Sequence, residues 1–262
     1  MSKGKFYFSK SLEKGLSILA LFNRETPVLT QSAIAKTLGL NMTSTYRYIN
    51  TLVELGYLEK NGKTKEIRPS LLSIVLGTNL MRATDHLEMI REVVDRIHRE
   101  NNISIDLAFV VNDALVRIYH CEAEETLTYR LPDVARNCLH NTALGKAYLA
   151  SLSEEQLTEK LASMPLVART AQTITDRERL HAELRLTRDR QFSMCVEELL
   201  PGLLAIGAAL RDSVSGRGVG AVSFDFSVLQ QSAPEITTRY ADMIRDTART
   251  LSALLPPEQN TR

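Results

Sequence analysis

Residues 30–68 read TQSAIAKTLGLNMTSTYRYINTLVELGYLEKNGKTKEIR, and this stretch decides the fold of the N-terminal part of the chain. Thr30 is a capping residue in front of a segment whose Ala33, Ile34, Ala35 and Leu38 recur at helical spacing, and Gly39 supplies the left-handed residue that ends it. After Leu40 and Asn41, residues 42–55 place Thr45, Tyr48, Ile49, Leu52 and Leu55 on one stripe, with Thr43, Ser44, Arg47 and Asn50 largely on the other face. Gly56 closes this second helix. Tyr57–Lys60 then meets Glu66–Arg68 across a loop containing Asn61-Gly62, a dipeptide that tolerates positive φ and favours hairpins. Helix, tight turn, helix and basic hairpin are the layout of a winged helix-turn-helix that reads DNA.

Charge supports this. The formal net charge of +1 hides an asymmetry: residues 1–70 hold 11 Lys and Arg against 5 Asp and Glu, and the remainder holds 21 against 26. A phosphate backbone attracts the basic part whatever its base sequence, and salt weakens that attraction steeply. On the second helix Thr43, Ser44, Tyr46, Arg47 and Asn50 are candidates for the major groove, where Arg pairs with guanine and Asn with adenine. Lys63, Lys65 and Arg68 on the wing are candidates for phosphate.

With 262 residues, 44% apolar and 24% charged, the chain has the composition of a soluble globular protein of one large or two ordinary domains. No apolar run approaches the roughly 18 residues of a spanning helix, and the N-terminus lacks a secretory apolar region, so a cytoplasmic location and no membrane partner are expected. Three cysteines (Cys121, Cys138, Cys195) without a Cys-x-x-Cys pair do not make a disulfide framework.

Upstream, Ser11 is positioned to cap a helix with Leu12, Leu16, Leu19 and Phe22 on one face, completing a three-helix domain over residues 1–69. Residues 70–83 follow Pro69 and are too apolar for a free linker, carrying Leu71, Leu72, Val75, Leu76 and Leu80. Such a linker helix buries its face either against a partner subunit or against its own domain. Residues 84–262 then predict a helix over Asp85–Asn101, a hairpin of Ser104–Val111 and Leu115–Cys121, and a helix opened by Asn141 or Thr142. Two more helices follow, from Ser153 and over Asp176–Arg190, then strands at Phe192–Val196, Leu203–Leu210 and Val219–Phe226 and a last helix over Pro234–Leu255. Hairpin-paired strands with helices set to one side predict an α+β domain with an antiparallel sheet.

Four segments carry a resemblance over nearly the whole chain: Ser11–Leu16, Leu52–Leu58, Thr142–Ala150 and Glu197–Leu203. In that order and at those separations the chain resembles the IclR family of bacterial transcription regulators. The resemblance implies an N-terminal winged helix, a dimerising linker helix and a GAF-like C-terminal domain that binds a small effector, in a homodimer or homotetramer on a palindromic operator. It also implies effector-pocket walls at Leu127, Tyr129, Ala143, Leu144, Cys195, Leu203, Ala205, Ser223 and Asp225. The family's common effectors are small organic acids, aromatic and sugar-derived ones included. A helix start at Thr142–Leu144 independently favours a carboxylate. Two departures stand out: Ala208-Ala209-Leu210 where many relatives have Ala-Pro-hydrophobic, and Ser223-Phe224-Asp225 where some have Ser-x-Ser. If Asp225 points into the pocket, an anionic ligand meets a like charge unless Arg130, His120 or another donor compensates; alternatively Asp225 faces away.

No catalytic site, metal or cofactor is expected. His120-Cys121 and Cys138-x-His140 do not have the spacing of a compact zinc module, and a strand puts His120 and Cys121 on opposite faces. Cys195 stands near Glu197 and Glu198, which raise a thiol pKa, and no Gly-rich phosphate loop, His-Glu-x-x-His or Gly-x-Ser-x-Gly occurs. An effector-free architectural or protein-binding module is the remaining alternative.

Overall fold

The computed structural model of the chain describes residues 7–23, 26–83, 85–111, 114–124 and 139–256, without the side chains of 81 and 82. Its contacts divide it into two compact units, Met1–Thr84 and Asp85–Arg262.

The first unit contains α1 (Lys10–Leu19), β1 (Leu29–Thr30), α2 (Gln31–Leu38), α3 (Met42–Glu54), β2 (Leu58–Lys60), β3 (Glu66–Pro69) and α4 (Leu71–Arg82). Thr30 caps α2 by accepting the Ala33 N–H, and Gly39 (φ 62°) ends it, so the chain reverses within two residues before Asn41 caps α3 by accepting from Ser44. Ile18, Ile34, Ile49, Leu52, Leu58 and Ile67 form the core.

Three local expectations differ. Ser9, not Ser11, caps α1, and Leu12 and Leu16 face solvent, because the buried stripe runs through Ile18 and is flanked by Leu19 and Phe22. Leu55 is also exposed: α3 ends at Glu54, so Leu55 no longer follows its periodicity. In the wing the left-handed residue is Lys65 (φ 61°) rather than Gly62, because the Asn61 side chain accepts from the N–H groups of Lys63 and Thr64 and sets the turn itself. β3 pairs with β2 on one side and with the short β1 on the other, giving the order β1-β3-β2.

The second unit contains α5 (Asp85–Asn101), β4 (Ser104–Val111), β5 (Ala114–Cys121), α6 (Ala143–Ser151), α7 (Glu154–Ser163), α8 (Arg177–Arg190), β6 (Ser193–Val196), β7 (Leu203–Arg211), β8 (Gly218–Ser227) and α9 (Ala233–Leu254). The five strands form one antiparallel sheet in the order β5-β4-β8-β7-β6. Helices cover both faces, not one. Ile105, Leu107, Ile206, Val222 and Phe224 meet Ile90 and Val94 of α5 and Ile236, Tyr240 and Ile244 of α9, whereas Ala108, Leu115 and Ala221 on the reverse face meet α6, α7 and α8. The cue is β7, whose residues Leu203–Ala208 are all buried; a strand covered on both sides reads as a continuous apolar run rather than an alternation.

Candidate functional sites

On α3, Thr43, Tyr46 and Arg47 are exposed and Ser44 and Asn50 half-buried, with Thr45, Ile49 and Leu52 buried behind them. The five candidates therefore share the solvent side of a helix whose other side is the domain core. On the wing, Lys63 and Lys65 occupy the turn, where Lys65 Nζ donates to the Gly62 carbonyl at 2.7 Å. Arg68 is turned toward β2: its Nε donates to Glu59 Oε2 at 2.9 Å, an exposed pair of small worth that a phosphate can displace. Spacing did not single out Lys60, whose ammonium lies 5.2 Å from the Tyr46 ring centroid and so ties wing to recognition helix.

In the second unit the strand register builds the candidate effector cleft. Cys195, Ala205, Asp225 and Ser104 stand opposite one another across four strands, and Ser193, Gly207, Ser223, Asp106 and His120 make the next row. Ala143 at the start of α6 closes over Cys195 and Ala205. Leu203 is buried at the start of β7, opposite Ser227, and Leu144 belongs to the apolar core under α6. Leu127, Tyr129, Arg130 and Cys138 lie outside the described residues.

Asp225 points to the cleft side of the sheet and has an acidic neighbour there that sequence reasoning missed. Asp106 is fully buried, and its Oδ1 accepts from His120 Nδ1 at 2.8 Å and from Arg117 Nη1 at 3.2 Å. His120 stands directly opposite Asp106; Arg117 reaches the same face only because the β4–β5 register shifts between Leu107 and Ala108, leaving Ile118 as the extra residue. The available signal was a lone acid inside the apolar run Ser104–Val111. Burial, then the Asp106 charge and a hydrogen bond with Asp106, hold the Asp225 carboxyl well above the usual carboxylate range, while the Ser223 hydroxyl donates to its Oδ1 at 3.1 Å. The Asp225 carboxyl is thus held toward its neutral form, in which it donates a hydrogen bond instead of presenting a like charge.

A carboxyl whose pKa is raised by folding adds stability in full below its unfolded value, about 3.9, and loses that contribution as pH rises through the folded value. Asp225→Asn is therefore expected to gain stability relative to the parent between pH 5 and pH 8, as read from urea midpoints at the two pH values. An unchanged difference would mean that Asp225 ionises there at no cost.

At the start of α6, Asn141 is fully buried and its side-chain Nδ2 and Oδ1 make no hydrogen bond, while its carbonyl accepts the Cys195 thiol at 3.0 Å. Burial, and secondarily Glu198, push the Cys195 thiol up to about 12, which leaves no thiolate for nucleophilic chemistry. His140 Nε2–H donates to the Val167 carbonyl at 3.1 Å, and burial lowers the ring's pKa. Among the described residues no group of three His, Cys, Asp or Glu is placed to hold a metal ion.

The two segments of the resemblance in this unit are joined by a buried ion pair. Lys146 Nζ contacts Glu198 Oε1 and donates to the Met194 carbonyl at 3.2 Å; both side chains are almost wholly buried. Glu197 adopts φ 54° and accepts the Gly202 N–H, and the hydroxyls of Thr170 and Thr173 bond the carbonyls of Glu197 and Glu198. Both acids therefore have structural roles here.

Residues 79–253 match the family model described as the bacterial transcriptional regulator IclR C-terminal, and residues 11–62 match the IclR helix-turn-helix domain. The chain belongs to the IclR family. It is similar to the HTH-type transcriptional regulator BhcR of Paracoccus denitrificans, 26% identical over 251 residues that span 96% of this chain and 89% of that protein. Among solved structures, an IclR-type regulator from Alicyclobacillus acidocaldarius aligns at TM-score 0.82 with 18% identity, over 95% of this chain and 99% of the other. An IclR homologue from Microbacterium hydrocarbonoxydans in complex with 4-hydroxybenzoate aligns at 0.74 with 20% identity, over 94% and 98%. IclR-family proteins are DNA-binding transcription regulators and not enzymes, and this chain is one of them. No helix among its described residues is long and apolar enough to cross a membrane.

Proposed function

We propose that the chain acts in the cytoplasm as a dimer or tetramer on a palindromic operator, and that a small organic acid, aromatic or sugar-derived, bound in the C-terminal domain sets its affinity for that operator. In this reading residues 1–69 contact DNA, 70–83 join subunits and 84–262 hold the effector. The observation that carries it is the fully buried, unbonded Asn141 amide at the start of α6, beside the row of Cys195, Ala205 and Asp225. A ligand carboxylate there accepts from the Asn141 amide and the first N–H groups of α6, while the Asp225 carboxyl, held toward its protonated form, donates a hydrogen bond to a second ligand oxygen. The homologue complexed with 4-hydroxybenzoate supports an acid of this class. Subunit association is supported by α4, whose Leu71, Leu72, Ile74, Val75, Leu76 and Leu80 are exposed in the single chain. Two-fold symmetry then places half-sites about one helical turn, or a multiple of it, apart.

The experiment is a thermal-shift screen of aromatic and sugar-derived acids, followed by operator binding with each hit. An acid is expected to raise the melting temperature and to change operator affinity by roughly 5–150-fold, the usual range of coupling between sites. If only neutral or cationic compounds shift melting, the carboxylate reading fails. For the DNA side, Arg47→Ala is expected to cost about 1–3 kcal/mol on the operator and little on unrelated DNA, in titrations at one salt concentration. Equal losses on all sequences would place Arg47 on phosphate.

A further inference from the structure

At the far end of β7 from Ala205, about 20 Å away at roughly 3.3 Å per residue, a cleft of about 450 Å³ opens where α8 and α9 meet the sheet. Its volume is that of small-ligand sites. Four arginines line it, Arg188, Arg211, Arg245 and Arg249, against one acid, Asp212. Three of the four have carboxylate partners: Arg188 bonds Glu154, Arg245 bonds Asp242 and Arg249 bonds Asp246. Asp212 is engaged too, its Oδ1 accepting from Val214, Ser215 and the Ser215 hydroxyl.

Arg211 differs. Exposed at the mouth of the cleft, it has no carboxylate partner among the described residues, and its Nη1 reaches only the carbonyls of Gly216 at 3.0 Å and Ser151 at 3.5 Å. A guanidinium carries five donors in a planar fork, so most of its capacity remains for a ligand in the cleft that Arg211 lines. Partial desolvation, and secondarily the Arg188 charge, pull its pKa below the ordinary value. Beside it the Thr187 hydroxyl, in a residue only 3% exposed, also lines the cleft and has no hydrogen-bond partner. A guanidinium without a carboxylate partner and a buried hydroxyl that is costly to leave unmatched therefore line one space. Ala147, Ala150, Ala208 and Ala209 floor it, with Phe192 at the side. Small side chains leave room above them, and their surface suits an apolar body.

We propose that this cleft is a second ligand site, separate from the effector cleft, for a phosphate monoester with an apolar body. A phosphate dianion brings more charge and more oxygens to the unpaired Arg211 than a carboxylate does, and the Arg fork matches its paired oxygens. Phosphate oxygens accept from Arg211 and from the Thr187 hydroxyl, and the organic body lies on the alanine floor against Phe192.

The test is calorimetric titration of the full chain with phenyl phosphate and with inorganic phosphate at fixed ionic strength. Saturable binding of phenyl phosphate is expected, tighter than that of inorganic phosphate, weakened at least tenfold by Arg211→Gln and several-fold by Thr187→Val, and unaffected by Asp225→Asn. Thr187→Val removes an unbonded hydroxyl, so its melting temperature without ligand should be unchanged or higher; a purely structural Thr187 would leave phenyl phosphate affinity untouched. Should Arg211→Gln fail to fold, Thr187→Val decides. The proposal is overturned if the parent does not bind phenyl phosphate, if both folded variants bind it as the parent does, or if inorganic phosphate binds equally tightly.

Discussion

Lys146→Met is expected to destabilise the C-terminal domain by about 3–5 kcal/mol at pH 8, the usual cost of removing one partner of a buried ion pair. Glu198 is left in a site where it is 6% exposed, with Oε2 already unbonded. Even with Lys146 present, burial outweighs the ammonium and holds the Glu198 carboxyl above its usual range. Without Lys146 that shift grows. A raised carboxyl adds stability below its unfolded pKa and loses it as pH rises through the folded value, so the deficit of Lys146→Met should shrink from pH 8 to pH 5. Lys146→Met combined with Glu198→Leu should recover most of the loss, because an apolar pair of similar volume is often as stable as the ion pair. Urea unfolding of the three proteins at both pH values checks this. A deficit independent of pH, or a double variant as weak as the single one, would show that the cost lies in packing around α6 and not in the stranded charge.

Gly145→Ala is the second large effect. A Cβ at Gly145 would stand 2.3 Å from the Leu139 carbonyl oxygen and 2.4 Å from Leu139 Cα, distances no flexible side chain can relieve because both atoms are main chain. Either α6 or the segment 139–142 must move, at a cost near or above 3 kcal/mol, the upper end of ordinary overpacking. That segment carries Asn141, whose carbonyl accepts the Cys195 thiol, so the displacement also alters the cleft. The expected result is a lowered melting temperature together with loss of the melting shift that an acid effector produces in the parent. An Ala variant of parental stability would mean that α6 and residue 139 are not in close contact in solution.

Both positions lie in segments whose sequences announced the family without disclosing their work. In Glu197–Leu203, Glu198 reads as one of two neighbouring acids, and only the fold sets it against Lys146, fifty-two residues earlier in the chain. Much of the helix and strand layout was legible beforehand. Thr30 and Thr142 cap their helices, Ser153 and Gln156 form a capping box, and β4 runs over Ser104–Val111, because caps and apolar periodicity act within a few residues. The exposed face of α3 was legible for the same reason. Less so was the first helix, where Leu12 and Leu16 offered one apolar stripe and Ile18 another, and packing against Ile34 and Ile49 chose the second.

By itself, then, the sequence determined where most elements begin and end, which face of α3 is polar, and the order of segments that marks an IclR regulator. Those depend on local geometry, one turn or one pleat at a time. The tertiary structure alone decided that helices cover both faces of the sheet, that Asp106 gathers His120 and Arg117 beside Asp225, and that Arg211 and Thr187 share a cleft. Each of these rests on strand register, on one bulge at Ile118, or on helices from distant parts of the chain, and a one-residue change in register would turn every such side chain to the opposite face.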